Sequence, residues 1–426
     1  MFKSLVKIFI KIIIRPQLIQ KAIYILKNNG IKSLFSSLNN TLVLSNQAYY
    51  EINRFSEIID PIHEKSVLIF THAIGGGSDS YINNRIKDEL IDKFNVYIVK
   101  YISTVDSFIL ESHDKKIFSF NIKNIDELVE VVDSINLEKI IINELVSYKD
   151  IFDTLDFIKN IKEKKSIYIE VIINDYFIIC PNFLLMNNNG IFCGICKDPL
   201  NSSCLKANRF LRYEYRGYKI DIWRKTWRAF LKMADSITCF SDSSKKYIIK
   251  VYPEIPDAKI SVNPLKVIYI RKAHVAKHDD YLNIGVIGNI SEFKGSLIIR
   301  KMSKIIREKR YKIRIIIIGT IKGKVHNNIK VTGVYNVDSL TDIVEENKID
   351  IIFIPSICSE TFSYTTEEAM MMDLPVAVFN IGAPAERVSS YSKGLVIDKI
   401  DSKYALESII DFLNIDNIDR FRQTGE

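Results

Sequence analysis

Long apolar stretches are missing from this chain. No segment supplies the roughly 20 consecutive apolar residues that a membrane-spanning helix needs, because runs such as Ile12 to Ile14 and Ile315 to Ile318 are broken by Lys, Arg or Gly within a few positions. Cysteine is also scarce: six in 426 residues do not make the disulfide scaffold of a small secreted domain. No N-terminal stretch joins an uninterrupted apolar centre to a small-residue cleavage site, so no export signal is expected. Together these absences predict a cytoplasmic chain that does not cross a membrane. Short-period repeats and extended low-complexity tracts are absent as well, which sets aside a repeat architecture.

What is present describes a folded protein. A hydrophobic share of 47% with 26% charged residues is close to the average for soluble globular chains and far from the composition of disorder. At roughly 150 residues per domain, 426 residues suggest two or three domains. Lys and Arg outnumber Asp and Glu by 59 to 51, a formal +8. That favours an anionic partner and leaves phosphates, acidic lipids and nucleic acid all eligible.

The first residues place Lys3, Lys7, Lys11 and Arg15 at every fourth position, with Phe2, Leu5, Val6, Phe9, Ile10, Ile12 and Ile13 filling much of the remaining circumference. As a helix this is a cationic stripe on an apolar body. Two readings fit: peripheral contact with the headgroups of an anionic membrane, on the inner face of the cell membrane, or packing on the protein itself with snorkelling lysines.

From Ser66 onward, short Ile- and Val-rich runs alternate with polar helical stretches, the rhythm of a parallel α/β sheet. Candidate strands are Val67 to Phe70, Val96 to Tyr101, Lys139 to Ile142, Ser166 to Ile172 and Ser236 to Cys239. A polar stretch, Asn263 to Tyr281, carries Pro264 and several cations and reads as a linker. A second series follows: Leu282 to Ile287, Ile313 to Ile318, Ile329 to Thr332, Asp350 to Ile354 and Val376 to Phe379. The expected organisation is a helical extension over 1–63, a doubly wound domain over 64–265 with a cysteine-bearing insertion at 180–216, a linker at 266–281 and a second doubly wound, Rossmann-like domain over 282–426.

Three stretches carry chemistry. After the first strand comes Thr71-His72-Ala73-Ile74-Gly75-Gly76-Gly77-Ser78-Asp79-Ser80. Glycines before a helix permit close backbone approach and present amides to a phosphate or sugar, although a tight turn without a ligand explains them equally well. The spacing is neither a dinucleotide fingerprint nor a P-loop, which counts against hydride transfer and nucleotide hydrolysis. The second domain opens in the same style, with Gly288-Asn289-Ile290-Ser291-Glu292-Phe293-Lys294-Gly295-Ser296 leading into a helix. Lys294 at that helix's start can neutralise a diphosphate leaving group. Its plain alternative is a solvated lysine in a turn. The third stretch runs from Phe353 through Glu360-Thr361-Phe362-Ser363, Glu367-Glu368-Ala369 and Leu374-Pro375-Val376 to Gly382-Ala383-Pro384-Ala385-Glu386-Arg387. It places Glu360 before a helix and Glu368 about one turn inside it.

This third run resembles the donor-site signature of retaining glycosyltransferases of family 4, of the polysaccharide and O-antigen type. In looser form the resemblance covers Ser66 to Ile400. It implies the GT-B architecture, in which two Rossmann-like doubly wound domains with parallel sheets face each other. By that resemblance Glu360 contacts the hydroxyls of the transferred sugar and Glu368 holds the ribose. The backbone at Thr361, Phe362 and Ser363 binds the diphosphate with Lys294 and Gly288, and Gly76 and Gly77 face the phosphates from the other domain. Glu360, Lys294 and Asp175 are the catalytic candidates. No cofactor is required for catalysis, because lysine and helix dipoles supply the positive field.

Two departures from the pattern stand out. The arginine that family members place shortly before the loop lysine has no counterpart between Gly288 and Phe293, with Arg387 a substitute source of charge. Asn174-Asp175-Tyr176 stands where close relatives carry His-Asp-Tyr.

Cys180, Cys193, Cys196 and Cys204 have the spacing of a structural zinc site, and equally of buried thiols that need no metal. The Arg- and aromatic-rich run from Arg209 to Arg228 reads first as a packing helix, then as an acceptor contact. Nucleic acid is not the expected partner. The leading reading is an enzyme that moves a sugar from a nucleotide-sugar donor to a glycan or lipid-linked acceptor in surface polysaccharide synthesis. The alternatives are a nucleotide-sugar epimerase or phosphorylase on the same fold, and a non-catalytic binding protein for sugar nucleotides or nucleic acid.

Overall fold

A computed structural model describes residues 50–103, 106–113, 118–206, 208–276 and 281–413. The basic stripe from Lys3 to Arg15 lies outside the described residues. The chain divides into two compact units, with the last changeover between Ser261 and Val262.

The first unit is built on a sheet whose strands are β1 (Tyr50–Glu51), β2 (Ser66–His72), β3 (Asn95–Ile102), β4 (Ser107–Ser112), β5 (Phe118–Ile122), β6 (Leu137–Ile142), β7 (Tyr168–Ile172), β8 (Ser236–Cys239) and β9 (Ile260–Val262). Their spatial order is β1-β5-β4-β3-β2-β6-β7-β8-β9. Every residue of β2 is buried, as expected of a strand covered on both faces. The parallel expectation holds for β3-β2-β6-β7-β8 and requires correction at one side, where β3-β4 and β4-β5 pair antiparallel. Ile102 and Ser107, like Ser112 and Phe118, are too close in sequence for the crossover of a dozen or more residues that parallel pairing demands.

The second unit carries β10 (Leu282–Ile290), β11 (Ile313–Ile321), β12 (Ile329–Val331), β13 (Ile351–Ile354), β14 (Val376–Phe379) and β15 (Gly394–Ile397), in the order β12-β11-β10-β13-β14-β15. All neighbours are parallel. Side chains alternate between faces along each strand. Ile315, Ile317, Phe353 and Phe379 therefore enter one core, and Ile316, Ile318, Ile352, Ile354 and Val378 the other. With both faces covered, the strands read as unbroken apolar runs instead of alternating ones.

The stretch expected to be a free linker is fastened to this unit over much of its length. Val267 and Ile270 are buried in the second of these cores, with Ala273 and Val275 packed against it. Arg271 bridges Asp342 and Glu345 at 2.5 and 2.6 Å. Among the described residues no helix is long and apolar enough to cross a membrane.

The ring of Phe353 is fully buried and meets Phe379 edge to face at 5.4 Å between centroids. Phe353→Ala should cost about 3–5 kcal/mol. The check is a urea titration, read as a lower midpoint for the unfolding of the second unit.

Candidate functional site

The chain leaves β10 toward β11 and β12 on one side, then returns to β13 and proceeds to β14 and β15 on the other. The loops that follow β10 and β13 diverge at this reversal, the place where open α/β sheets bind ligands. Loop 291–295 leads into the helix Ser296–Glu308, and loop 355–363 into the helix Tyr364–Met371. In neither helix does the N-cap side chain bond the first-turn amides, so the positive end of each dipole is not masked by its own cap.

Close backbone packing holds the two loops together. The amide of Ile357 donates to the carbonyl of Phe293 at 2.9 Å. Gly295 has φ 87°, and a Cβ placed on it would lie 2.1 Å from the carbonyl oxygen of Pro355. Both the left-handed conformation and the lack of space require glycine there.

Above this contact the Lys294 ammonium pairs with Glu360 at 2.7 Å, and Ser356 donates to the other Glu360 oxygen at 2.5 Å. Glu360 is held from a third side as well, because its carbonyl accepts from Ala383 at the start of the helix Gly382–Ser389. Partial burial alone pulls the Lys294 ammonium down, but the Glu360 charge outweighs it and the group stays protonated, above its ordinary value. About a third of the lysine side chain is exposed (34%), so an anion can reach it.

Thr361 and Phe362 are buried behind the loop. Ser363 caps the following helix at φ 137°, a region that a non-glycine residue occupies only under strain, and Thr366 donates to its hydroxyl at 2.9 Å. Glu368 is buried one turn further on and accepts from the Tyr269 hydroxyl at 2.8 Å. Burial pushes the Glu368 carboxyl up, and the Tyr269 hydrogen bond draws it back. Arg387 is already engaged: its guanidinium pairs with Glu367 and lies 5.9 Å from the centre of the Phe362 ring. It therefore braces the loop.

Thus Gly288, Lys294, Glu360, Thr361, Phe362, Ser363 and Glu368 belong to one strand edge and its loops. Sequence reasoning missed Tyr269 and Ser356, whereas Cys358, which lies beside a predicted strand and reads from the sequence as core, is buried. Burial and then the nearby Glu360 push the Cys358 thiol up to about 12. Only the Ser-x-x-x-Glu spacing offered a hint of Ser356, and nothing local marked Tyr269.

The first unit has its own reversal, between β2 and β6. Gly75 and Gly76 both have positive φ, with open space where their side chains would be. The helix Gly77–Arg85 starts there. Beneath the glycines His72 is buried. Its Nε2 meets Glu144 at 3.1 Å and the Ser78 hydroxyl at 3.0 Å, and its Nδ1 accepts from the Ile74 amide at 3.1 Å. Burial alone pulls the imidazole down, yet Glu144 and Asp79 together hold it above its ordinary value. Asp175 hydrogen-bonds Glu144, and burial together with that neighbouring charge holds its carboxyl well above the usual range. The Asp175 carboxylate also accepts from the amide of Phe177 at 2.8 Å. Asn174 does not reach toward a ligand; its amide donates to the carbonyl and side chain of Asn143.

The four thiols at Cys180, Cys193, Cys196 and Cys204 are not gathered. Among the described residues no three His, Cys, Asp or Glu side chains are placed to hold a metal ion. Cys180 is buried, whereas Cys193 is exposed and donates to the Leu185 carbonyl at 3.0 Å. Cys196 and Cys204 come near enough that, after burial, Cys196 contributes to raising the Cys204 thiol. In the basic aromatic run Trp223 and Trp227 are buried, and Arg224 donates to the Ile179 carbonyl at 3.0 Å. These residues pack a helix and offer no open stacking face.

The edge described above coincides with a known family. Residues 282–414 match the family described as glycosyl transferases group 1. This segment is a glycosyl transferases group 1 domain. The described residues have the GT-B fold, as shown by solved structures that the chain resembles at low identity. HepE from Anabaena, in complex with UDP, superposes with a TM-score of 0.53 at 11% identity, covering 84% of this chain and 92% of that one. Sucrose-phosphate synthase from Thermosynechococcus elongatus gives 0.56 at 12%, with 84% and 91% covered. TarM gives 0.52 at 11%, with 85% and 94% covered. No curated protein matches the chain in sequence.

Within the group 1 domain, Gly295→Ala should be destabilising by more than about 1 kcal/mol, because alanine is incompatible with that φ and its methyl collides with backbone. Thermal unfolding against wild type checks this, and an unchanged melting temperature would mean that the loops are not packed as described.

Proposed function

We propose that this protein is a retaining, metal-independent glycosyltransferase that moves a sugar from a nucleotide-sugar donor to a glycan or lipid-linked acceptor in surface polysaccharide synthesis. The observation that carries the reading is the Lys294–Glu360 pair at the strand reversal of the group 1 domain, its lysine one-third exposed and the pair flanked by two helix N-termini. A diphosphate leaving group needs positive charge that is in place before the bond breaks, and a lysine beside helix dipoles provides it without reorganisation. Glu360, with Ser356 on one oxygen, keeps acceptor capacity for the hydroxyls of the transferred sugar. Glu368 takes the ribose, one turn along the same helix. The UDP-glucose complex of HepE, a structural neighbour, supports a sugar nucleotide as the ligand class.

In this reading the amides at Thr361 to Ser363 and at Gly288 hold the diphosphate, and Gly76, Gly77 and Asp175 serve the acceptor domain. The leaving phosphate can accept the proton of the attacking hydroxyl on the same face, which is compatible with retention. The peripheral, cytoplasmic-face location stays part of the proposal because the expected acceptors are lipid-linked.

The test is nucleotide release from UDP-, GDP-, ADP- and dTDP-sugars with glycan and lipid-linked acceptors. One donor should turn over, and Lys294→Ala and Glu360→Ala should each lower kcat/KM by about 100-fold or more. Addition of EDTA should leave the rate unchanged. Binding of a donor without turnover under any acceptor would favour the non-catalytic binding protein, and a rate that EDTA abolishes would overturn metal independence.

A further inference from the structure

We propose that Tyr269 is a positioning and nucleobase-binding residue of the donor site, whose hydroxyl fixes the ribose-binding carboxylate of Glu368 and whose exposed ring is a platform for the nucleobase. This rests on the donor-site reading above and extends it to a residue that precedes the group 1 domain in sequence.

The segment that carries Tyr269 is anchored on either side. Val267 and Ile270 are 3% and 7% exposed and sit in the core, whereas Ile268 and Tyr269 between them are 85% and 44% exposed. The core therefore does not demand an aromatic at 269. Its hydroxyl nevertheless reaches a buried carboxylate at 2.8 Å. That bond occupies one lone pair of Oε1 and leaves Oε2 to accept from a ribose diol. It also favours the ionised form, opposing the burial that would otherwise let Glu368 take a proton and become a donor. Tyr335 and Tyr364 stand close enough for their charges to act on Tyr269, and Tyr335 also feels the charge of Glu368. With the hydroxyl bonded to the carboxylate assigned to the ribose, the half-exposed ring is an aromatic surface next to it. Aromatic faces stack on any base, so the platform contributes affinity whichever base the donor carries.

The experiment measures the affinity of the full-length protein for UDP, GDP, ADP, dTDP and inorganic pyrophosphate by calorimetry, for wild type, Tyr269→Phe, Tyr269→Ala and Lys294→Ala. For the nucleotide that wild type binds, Tyr269→Phe should lose about tenfold through the hydroxyl, and Tyr269→Ala about a further tenfold through the ring. Pyrophosphate affinity should be unchanged in both, whereas Lys294→Ala should weaken every ligand. In turnover, donor KM should rise with kcat within about twofold. In a Glu368→Ala background, Tyr269→Phe should cost nothing more. Equal loss of pyrophosphate and nucleotide in the tyrosine variants would reduce Tyr269 to a structural role and overturn the inference, as would wild-type affinity in Tyr269→Ala. If wild type itself bound no nucleotide, the donor-site reading would fall and take this inference with it. A failure confined to the Tyr269 variants leaves that reading standing.

Discussion

The site depends on two loops from adjacent parallel strands meeting closely enough to share a backbone hydrogen bond. Phe293 and Ile357 make that bond, and Gly295 makes it possible by having no side chain against Pro355. Everything functional in the second unit is arranged around this contact. Lys294 is one residue from Phe293 and Glu360 three from Ile357, so the ion pair follows from the seam beneath it. The pair is partly desolvated, which strengthens it relative to a surface pair. It still leaves the ammonium accessible to a larger anion.

The two units solve the placement of carboxylates in different ways. In the second, Glu360 pairs with a lysine ammonium, and Glu368 accepts a hydrogen bond from an uncharged tyrosine hydroxyl. In the first, Glu144 stands between the His72 imidazole, which holds its carboxyl down against the pull of burial, and Asp175, whose carboxyl is pushed up by burial and by the Glu144 charge. Environment, more than residue type, decides which oxygen donates and which accepts.

Much of this was legible in the sequence, for physical reasons. The Ile-rich runs of β10, β11 and β13 stand out because helices cover both faces, and Glu360 and Glu368 because a strand, a loop and a helix cap must follow in fixed order around them. Tyr269 was hidden because its place depends on Val267 and Ile270 finding a core, which a polar stretch beginning with a proline does not announce. β4 and β5 were missed because short strands without an intervening helix lack the α/β rhythm. The cysteines are a different case: a two-residue spacing permits tetrahedral ligation, but where each sulfur points is set by tertiary packing, and here Cys193 donates to a backbone carbonyl.

The antiparallel β3-β4-β5 ribbon also separates the units in the order of their assembly. Its strands are joined by short connections, so their pairing closes small loops and sacrifices little chain entropy. The six-stranded sheet has no such pair, since each of its parallel contacts spans a crossover and β10 must wait for β13 across two intervening strands. Local pairing is fast and distant parallel pairing slow. By this topology the ribbon is the expected early nucleus of the first unit, and the seam that carries the ion pair an expected late step of the second.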